Sequence, residues 1–291
     1  MTPIRTDPVV EVSAKHDWAE RYRPNTLSGL EGNEDRIRRV RQWLDRWVSG
    51  SVPKKKGLLL SGPPGVGKTT LALAIAEDRG WTVIELNASE QRNASAIRGS
   101  ATRGSQHISL DQFSSEGPTS GRTLILLDEV DHLQGTFRAT SEKRIESTLA
   151  VSRGDDAKNA LTGDTGGKAE LMRLLKVAQQ PVIMTCNDEM RLWGAGQYWR
   201  SARDRFSALA SVIQFRRATD ADMRRIAHRV LDSEGVGSDG VALDRLLKSN
   251  PGDLRALIRD RTVRGSSPAR NPVRPREKPD TSRSPSPAST W

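Results

Sequence analysis

The chain holds a single cysteine, Cys186, among 291 residues. An internal disulfide framework is excluded, and a reducing compartment is the simple reading. Long hydrophobic runs are missing too. No apolar stretch approaches the ~20 residues of a membrane span. The opening MTPIRTDPVVEVSAKHD lacks the apolar stretch of a signal peptide. A soluble, cytoplasmic protein with no membrane partner is expected. No second cysteine or neighbouring histidine completes a metal set around Cys186, and His16, His107, His132 and His228 share no ligand spacing. No internal repeat is found. Acidic residues are the minority charge: 36 Asp and Glu against 46 Lys and Arg, a formal charge of +10. That balance favours an anionic partner such as nucleic acid.

The length suits about two domains plus tails. Hydrophobic residues at 35% suffice for a core, while parts of the chain must be poor in them. Residues 1–16 read as a flexible arm. Residues 34–48 carry the periodicity of a helix, with Ile37, Val40, Leu44, Trp47 and Val48 on one face. Five short apolar runs follow, at 57–61, 82–86, 123–128, 181–186 and 211–215. They are apolar without strict alternation, as in strands covered on both faces of a parallel sheet. Helical stretches separate them, clearest at 69–79 and 167–179, so 17–216 reads as an α/β domain. The polar segment 132–164 reads as an exposed insertion. From Thr219 the pattern turns helical: a capping box from Thr219 to Asp222 opens one helix that ends near Gly235. Ser238 caps a second, with Val241, Leu243, Leu246 and Leu247 as its apolar positions. Pro251 and Gly252 precede a third with Leu254, Leu257 and Ile258. A small all-helical domain is expected over 217–262. Residues 263–291, rich in Pro, Ser and Arg, read as a disordered basic tail.

The strongest motif is Gly62-Pro63-Pro64-Gly65-Val66-Gly67-Lys68-Thr69-Thr70, which fits G-x-x-x-x-G-K-[ST] with an apolar strand before it and a helix after it. Its glycines let the backbone wrap phosphate, and main-chain N–H groups at the helix start face the anion. Lys68 supplies charge to the β- and γ-phosphates, and Thr69 a hydroxyl to Mg²⁺. The run Leu124 to Asp131 ends a strand in acids: Asp128 is placed to hold Mg²⁺, and Glu129 to act as general base. Asn187, closing the fourth strand, offers an amide to orient water or sense the γ-phosphate, though without the other motifs an asparagine there is more often a turn residue. Arg255, early in the last helix, is placed to reach a nucleotide from the helical domain or to be simply solvated. Trp43, Trp47 and Trp81 read as core.

Together these elements resemble the AAA+ ATPases. The stretch Trp18-Ala-Glu-Arg-Tyr22-Arg23-Pro24, continuing to Gly32-Asn33-Glu34, looks like the opening signature of clamp-loader subunits. Glu85-Leu-Asn87-Ala-Ser89 through Asn93 resembles the segment after the second strand in replication factor C. The run from Gly163 to Gly167, then Pro181 to Asp188, is most similar to the archaeal large-subunit branch of that family, and Gly252-Asp-Leu-Arg255 to its second sensor. The resemblance covers about 17–262.

It implies a parallel five-stranded sheet of order 5-1-4-3-2 with a helical lid. It implies ATP and Mg²⁺, with Tyr22, Arg23 and Pro24 near the adenine. The implied partners are replication factor C small subunits, a sliding clamp and primer–template DNA bound without sequence preference. Arg92, Arg98 and Arg103 fall where family helices track the DNA backbone, or are ordinary solvated arginines. The chain departs from the family in two places. The small-subunit finger Ser-Arg-Cys is replaced by Ser207-Ala-Leu-Ala-Ser211, with Arg203 and Arg205 just upstream. No collar domain or clamp-binding peptide is evident, which fits a short form, a divergent subunit or a fragment. Two other readings stand beside the clamp-loader ATPase. One is a nucleotide-sensing scaffold subunit with dispensable turnover. The other is a different AAA+ DNA-processing ATPase.

Overall fold

The computed structural model describes residues 18–48, 52–90, 94–102, 122–138, 166–194, 196–235 and 240–264, with Gly104 and Lys143 between them. The expected arm, the tail beyond Arg264, Arg92, Arg103, Ser238 and most of the 132–164 insertion lie outside these residues.

The elements in chain order are α1 (Trp18–Arg21), α2 (Glu34–Val48), β1 (Gly57–Ser61), α3 (Lys68–Asp78), β2 (Thr82–Asn87), α4 (Ala94–Ile97), β3 (Thr123–Asp128), α5 (Gly167–Val177), β4 (Val182–Cys186), α6 (Glu189–Trp193), α7 (Trp199–Ser207), β5 (Ala210–Gln214), α8 (Asp220–Ser233), α9 (Gly240–Ser249) and α10 (Leu254–Arg264). Short 3₁₀ turns occupy Leu27–Gly29 and Val130–His132.

All five strands are parallel, in the order β2-β3-β4-β1-β5. This is the expected order read from the other edge. β1, β3 and β4 are apolar along their length because helices cover both faces. The strand period of two then sorts their side chains. Leu58, Leu60, Leu124, Leu126 and Ile183 pack with Trp47, Leu44, Leu71 and Ile75 of α2 and α3. Leu59, Ile125, Leu127 and Met184 pack with Leu171, Leu174 and Leu175 of α5 and with Phe206 of α7. The sheet is thus the middle of three layers.

Two expected apolar positions do not join a core. Val48 is 59% exposed, and Trp43 takes its place on the buried face of α2 beside Val40, Leu44 and Trp47. Val241 is 60% exposed, while Leu243, Leu246 and Leu247 are buried. Both valines sit at an edge of their helix's apolar arc, where one residue decides exposure.

After β5 the chain is helical. Thr219 caps α8: its hydroxyl accepts from Asp222 N at 3.2 Å, and Asp222 Oδ2 accepts from Thr219 N at 3.0 Å. Met223, Ala227, Leu243, Leu246, Leu247 and Leu257 form a separate small core among α8, α9 and α10. Gly252 (φ 68°) turns the chain into α10, and a Cβ there would collide with Arg217 Cβ and crowd Ala218 O. α10 extends to Arg264, two residues past the expected boundary.

Candidate functional site

In a parallel sheet the carboxyl ends of all strands meet at one edge, and a site forms outside it. Here β1 runs into Gly62, β3 delivers Asp128 and Glu129, and β4 delivers Asn187. β1 and β3 both flank β4, so the three termini converge.

The loop after β1 turns through Gly62, Gly65 and Gly67, all at positive φ. Gly67, at φ 87°, is the left-handed cap of α3, and the place where its Cβ would stand is open for 4 Å. That opening leaves the first amides of α3 accessible to an anion. Lys68 is buried at 5% exposure. Its Nζ donates to Gly62 O at 2.7 Å, Pro63 O at 2.8 Å and Asn187 Oδ1 at 2.8 Å. Burial pushes its ammonium down to about 8, while Asp128 and Asp131 pull the other way.

Asp128 Oδ1 accepts from Thr69 Oγ1 at 2.8 Å and from the hydroxyl of Thr185. Thr185 Oγ1 in turn accepts from Glu129 N at 3.0 Å. Asn187 Nδ2 donates to Glu129 Oε1 at 3.2 Å, and Asn187 N to Asp131 Oδ1 at 3.1 Å. A continuous chain therefore runs from Lys68 through Asn187 to Glu129. Glu129 itself is left-handed, at φ 56° and ψ 46°. Among the described residues only Asn33 shares this state without being glycine. Glutamate tolerates the left-handed region less well than asparagine, so the turn after β3 holds Glu129 against a local cost.

Tyr22, Arg23, Pro24, Asn187 and Arg255 line the same cavity as the phosphate loop, with Leu30, Ile226 and Ile258 among its apolar walls. α10 meets the loop directly: Leu254 N donates to Gly65 O at 3.2 Å. A Cβ on Gly65 would run into the Asp253 carboxylate. Asp253 caps α10, accepting from Ala256 N at 2.9 Å.

Arg98, expected to face DNA or solvent, is placed differently, whereas Cys186 lies in the strand interior as expected. Arg98 is half-buried with its charge acting on the buried carboxylate of Glu170, which gives it an interior role. Arg205 donates to Phe137 O, within its own chain. Cys186 is fully buried in β4, and burial pushes its thiol far up.

Sequence reasoning missed Thr185, Glu31 and the Gly65–Leu254 contact. Thr185 stands two residues before Asn187, and only the β3–β4 pairing brings it to Asp128. Glu31 meets Arg225 at 2.8 Å and also Arg229, nearly two hundred residues away in sequence. No local signal announces such a pairing.

The chain is similar to known proteins in sequence and in fold. Residues 58–206, about half of the chain, match the family model described as ATPase family associated with various cellular activities (AAA). The chain belongs to this family. The replication factor C large subunit of Methanothrix thermoacetophila is 34% identical over 243 residues, covering 84% of this chain and 42% of the relative. That of Archaeoglobus fulgidus is 35% identical over 249 residues, covering 84% and 43%. The chain thus spans less than half the length of these relatives. A variant of Thermotoga maritima RuvB aligns at a TM-score of 0.50 with 18% identity, over 82% of this chain and 63% of that one. At that identity the likeness concerns the fold. Among the described residues of this AAA protein, no helix is long and apolar enough to cross a membrane.

Proposed function

We propose that this chain is an ATP-hydrolysing clamp-loader subunit of the replication factor C large-subunit type, acting in the cytoplasm. The observation that carries the hydrolytic part is the hydrogen-bonded chain Lys68–Asn187–Glu129 beside the phosphate loop. The names of the relatives carry the clamp-loader part.

The donor set fits the expected cofactor. A threonine hydroxyl and a carboxylate, 2.8 Å apart at Thr69 and Asp128, are hard oxygen ligands of the kind Mg²⁺ prefers. When bound, Mg²⁺ neutralises charge on the β- and γ-phosphates. The residues divide the remaining work. The loop Gly62–Thr70 and the amides of α3 hold the phosphates, and Lys68 places a positive charge against them. Glu129 takes the proton of the attacking water, and Asn187 orients that water. Arg255, carried on α10, meets the nucleotide from the helical lid. Tyr22, Arg23 and Pro24 face the base. Small subunits, a sliding clamp and primer–template DNA complete the working assembly.

The test has two stages. Lys68→Ala is expected to abolish nucleotide binding, and Glu129→Gln to keep binding while slowing turnover. Hydrolysis at the normal rate by Glu129→Gln would remove Glu129 from its role. Native mass measurement of the tagged chain, drawn from its own cells in ATP, then reads the assembly. One copy with several smaller related ATPases supports the large-subunit reading, whereas a homo-oligomer or a lone monomer sinks it.

A further inference from the structure

Two segments leave the nucleotide site side by side. One follows β3 and carries Glu129 into the turn Val130–His132, and the other follows β4 and carries Asn187 into α6. Lys168, the second residue of α5, holds both. Its backbone N–H donates to Gln134 O at 2.9 Å, just beyond the first turn. Its Nζ donates to Leu192 O at 2.7 Å and to Arg191 O at 3.1 Å, near the end of α6. Lys168 does not line the nucleotide cavity.

α6 has five residues, so at 1.5 Å per residue it is only about 7 Å long. A helix this short has no stability of its own, and its last carbonyls lack partners within it. Its place is set by what binds its ends. At the start, Asp188 Oδ1 accepts from Met190 N at 2.8 Å. Glu189 Oε1 there accepts from Ser61 Oγ at 2.6 Å and from Gln214 Nε2 at 3.1 Å. At the end, the Lys168 ammonium caps two carbonyls, as a cation does well at a helix C-terminus. Leu192 and Trp193 also pack into the core there. Such packing is non-directional, whereas hydrogen bonds fix a distance.

Lys168 costs stability where it stands. It is 8% exposed, its Nζ lies 5.7 Å from the centroid of the Phe137 ring, and burial pushes its ammonium below the usual lysine range. An apolar side chain of the same length would avoid that cost. What the ammonium adds is placement, because the two segments it ties end at the site in the pair Asn187 Nδ2 and Glu129 Oε1, 3.2 Å apart. We infer that Lys168 is a positioning residue for hydrolysis: from behind the site it ties the segment after Glu129 to the helix after Asn187, and so sets the distance between those two side chains. The inference rests on the roles proposed above for Glu129 and Asn187.

Lys168→Met keeps the length and the apolar stem and removes the donor. Single-turnover hydrolysis and nucleotide titration test it with the whole chain, in the assembly that it forms in ATP. The rate is expected to fall at least about tenfold while nucleotide affinity stays within about threefold, because a small misplacement of a reacting group acts on rate and not on binding. Added to Asn187→Ala, Lys168→Met is expected to cost under about twofold more, since a positioning residue acts through what it positions. Hydrogen exchange of the nucleotide-free protein reads the same tie without chemistry. The amides of Leu192 and Gly194, which donate to Asp188 O and Met190 O, are expected to exchange at least about tenfold faster in Lys168→Met, and those of α3 at the unaltered rate. A normal rate of hydrolysis, equal losses with and without Asn187, or unchanged exchange in α6 overturns the inference. If Lys168→Met does not fold, Glu189→Ala loosens α6 from its other end and is read by the same cycle, and a normal rate there overturns the inference too. Normal turnover by Asn187→Ala would strike the role proposed for Asn187 itself. That result is distinct from slow turnover by Asn187→Ala beside normal turnover by Lys168→Met, which strikes Lys168 alone.

Discussion

The phenolic hydroxyl of Tyr22 donates to Glu234 Oε1 at 2.6 Å, joining positions 212 residues apart. Arg21 pairs with the same carboxylate at 2.8 Å. Further along α8, Glu31 engages Arg225 and Arg229, and Gly29 O accepts from Arg229 Nη1 at 2.8 Å. The segment that lines one wall of the nucleotide cavity is thus clasped to the helices that form another. The clasp is expected to restrain opening of the cavity between these two walls.

Tyr22→Phe keeps the ring and removes the hydrogen bond. A partly buried hydrogen bond to a carboxylate contributes on the order of 1–2 kcal/mol, so nucleotide release is expected to quicken roughly five- to thirtyfold. The exposed ion pair of Arg225 contributes less, and Arg225→Ala is expected to change release by under about fivefold. Stopped-flow release of a fluorescent ADP analogue reads both. Equal rates for Tyr22→Phe and the unaltered protein would show that the clasp does not gate the cavity.

Lys68 gives a pH signature. Burial lowers its pKa from 10.5 to about 8 in the free protein. The folded state therefore binds fewer protons than the unfolded chain between about 8 and 10.5, and this group's contribution to stability rises with pH across that window. A polyphosphate beside Lys68 favours the charged form again, so nucleotide binding takes up protons. Near pH 8 about half of the free sites start deprotonated, and the expected uptake is about half a proton, vanishing by about pH 6. Calorimetry in buffers of different ionisation enthalpy measures it. Lys68→Arg stays charged throughout and should show none.

The five strands were legible because each is a short apolar run between turn-forming residues, and the capping box at Thr219 because it is complete within four residues. The phosphate loop was legible for the same reason. The strand order came from resemblance, since apolar runs alone do not say which neighbours pair. What escaped the sequence are contacts made across elements: the hydroxyl of Thr185 between the Asp128 carboxylate and the Glu129 amide, Glu31 against the arginines of α8, and α10 resting on Gly65. Each depends on docking geometry that no periodicity encodes. Val48 and Val241 mark the other limit, where an apolar residue at the edge of a helical face is decided by a few degrees of rotation.

Glu129 allows a test of backbone strain apart from chemistry. At an ordinary helix or strand position alanine is more stable than glycine by about 0.5–1 kcal/mol. At φ 56° the preference should reverse, because the Cβ clash costs about 1 kcal/mol or more. Glu129→Gly is therefore expected to unfold at higher denaturant than Glu129→Ala, with both lacking turnover. The opposite order of midpoints would mean that the turn relaxes and stores no strain.

Thr185 is the residue whose substitution separates positioning from contact. Its hydroxyl donates to Asp128 and accepts from Glu129 N, so it fixes together the two acids proposed above as Mg²⁺ ligand and general base. Thr185→Val keeps the shape and strands the Glu129 amide without its acceptor, at a cost of about 1–3 kcal/mol in stability. Turnover is expected to fall at least about tenfold while nucleotide affinity moves by less than about threefold, because the phosphate loop and Lys68 are untouched. Thr185→Ser restores the hydroxyl and should restore turnover, which a purely structural role for the methyl group would not predict. If Thr185→Val hydrolyses ATP at the normal rate, Asp128 and Glu129 hold their places through Thr69 and Asn187 alone.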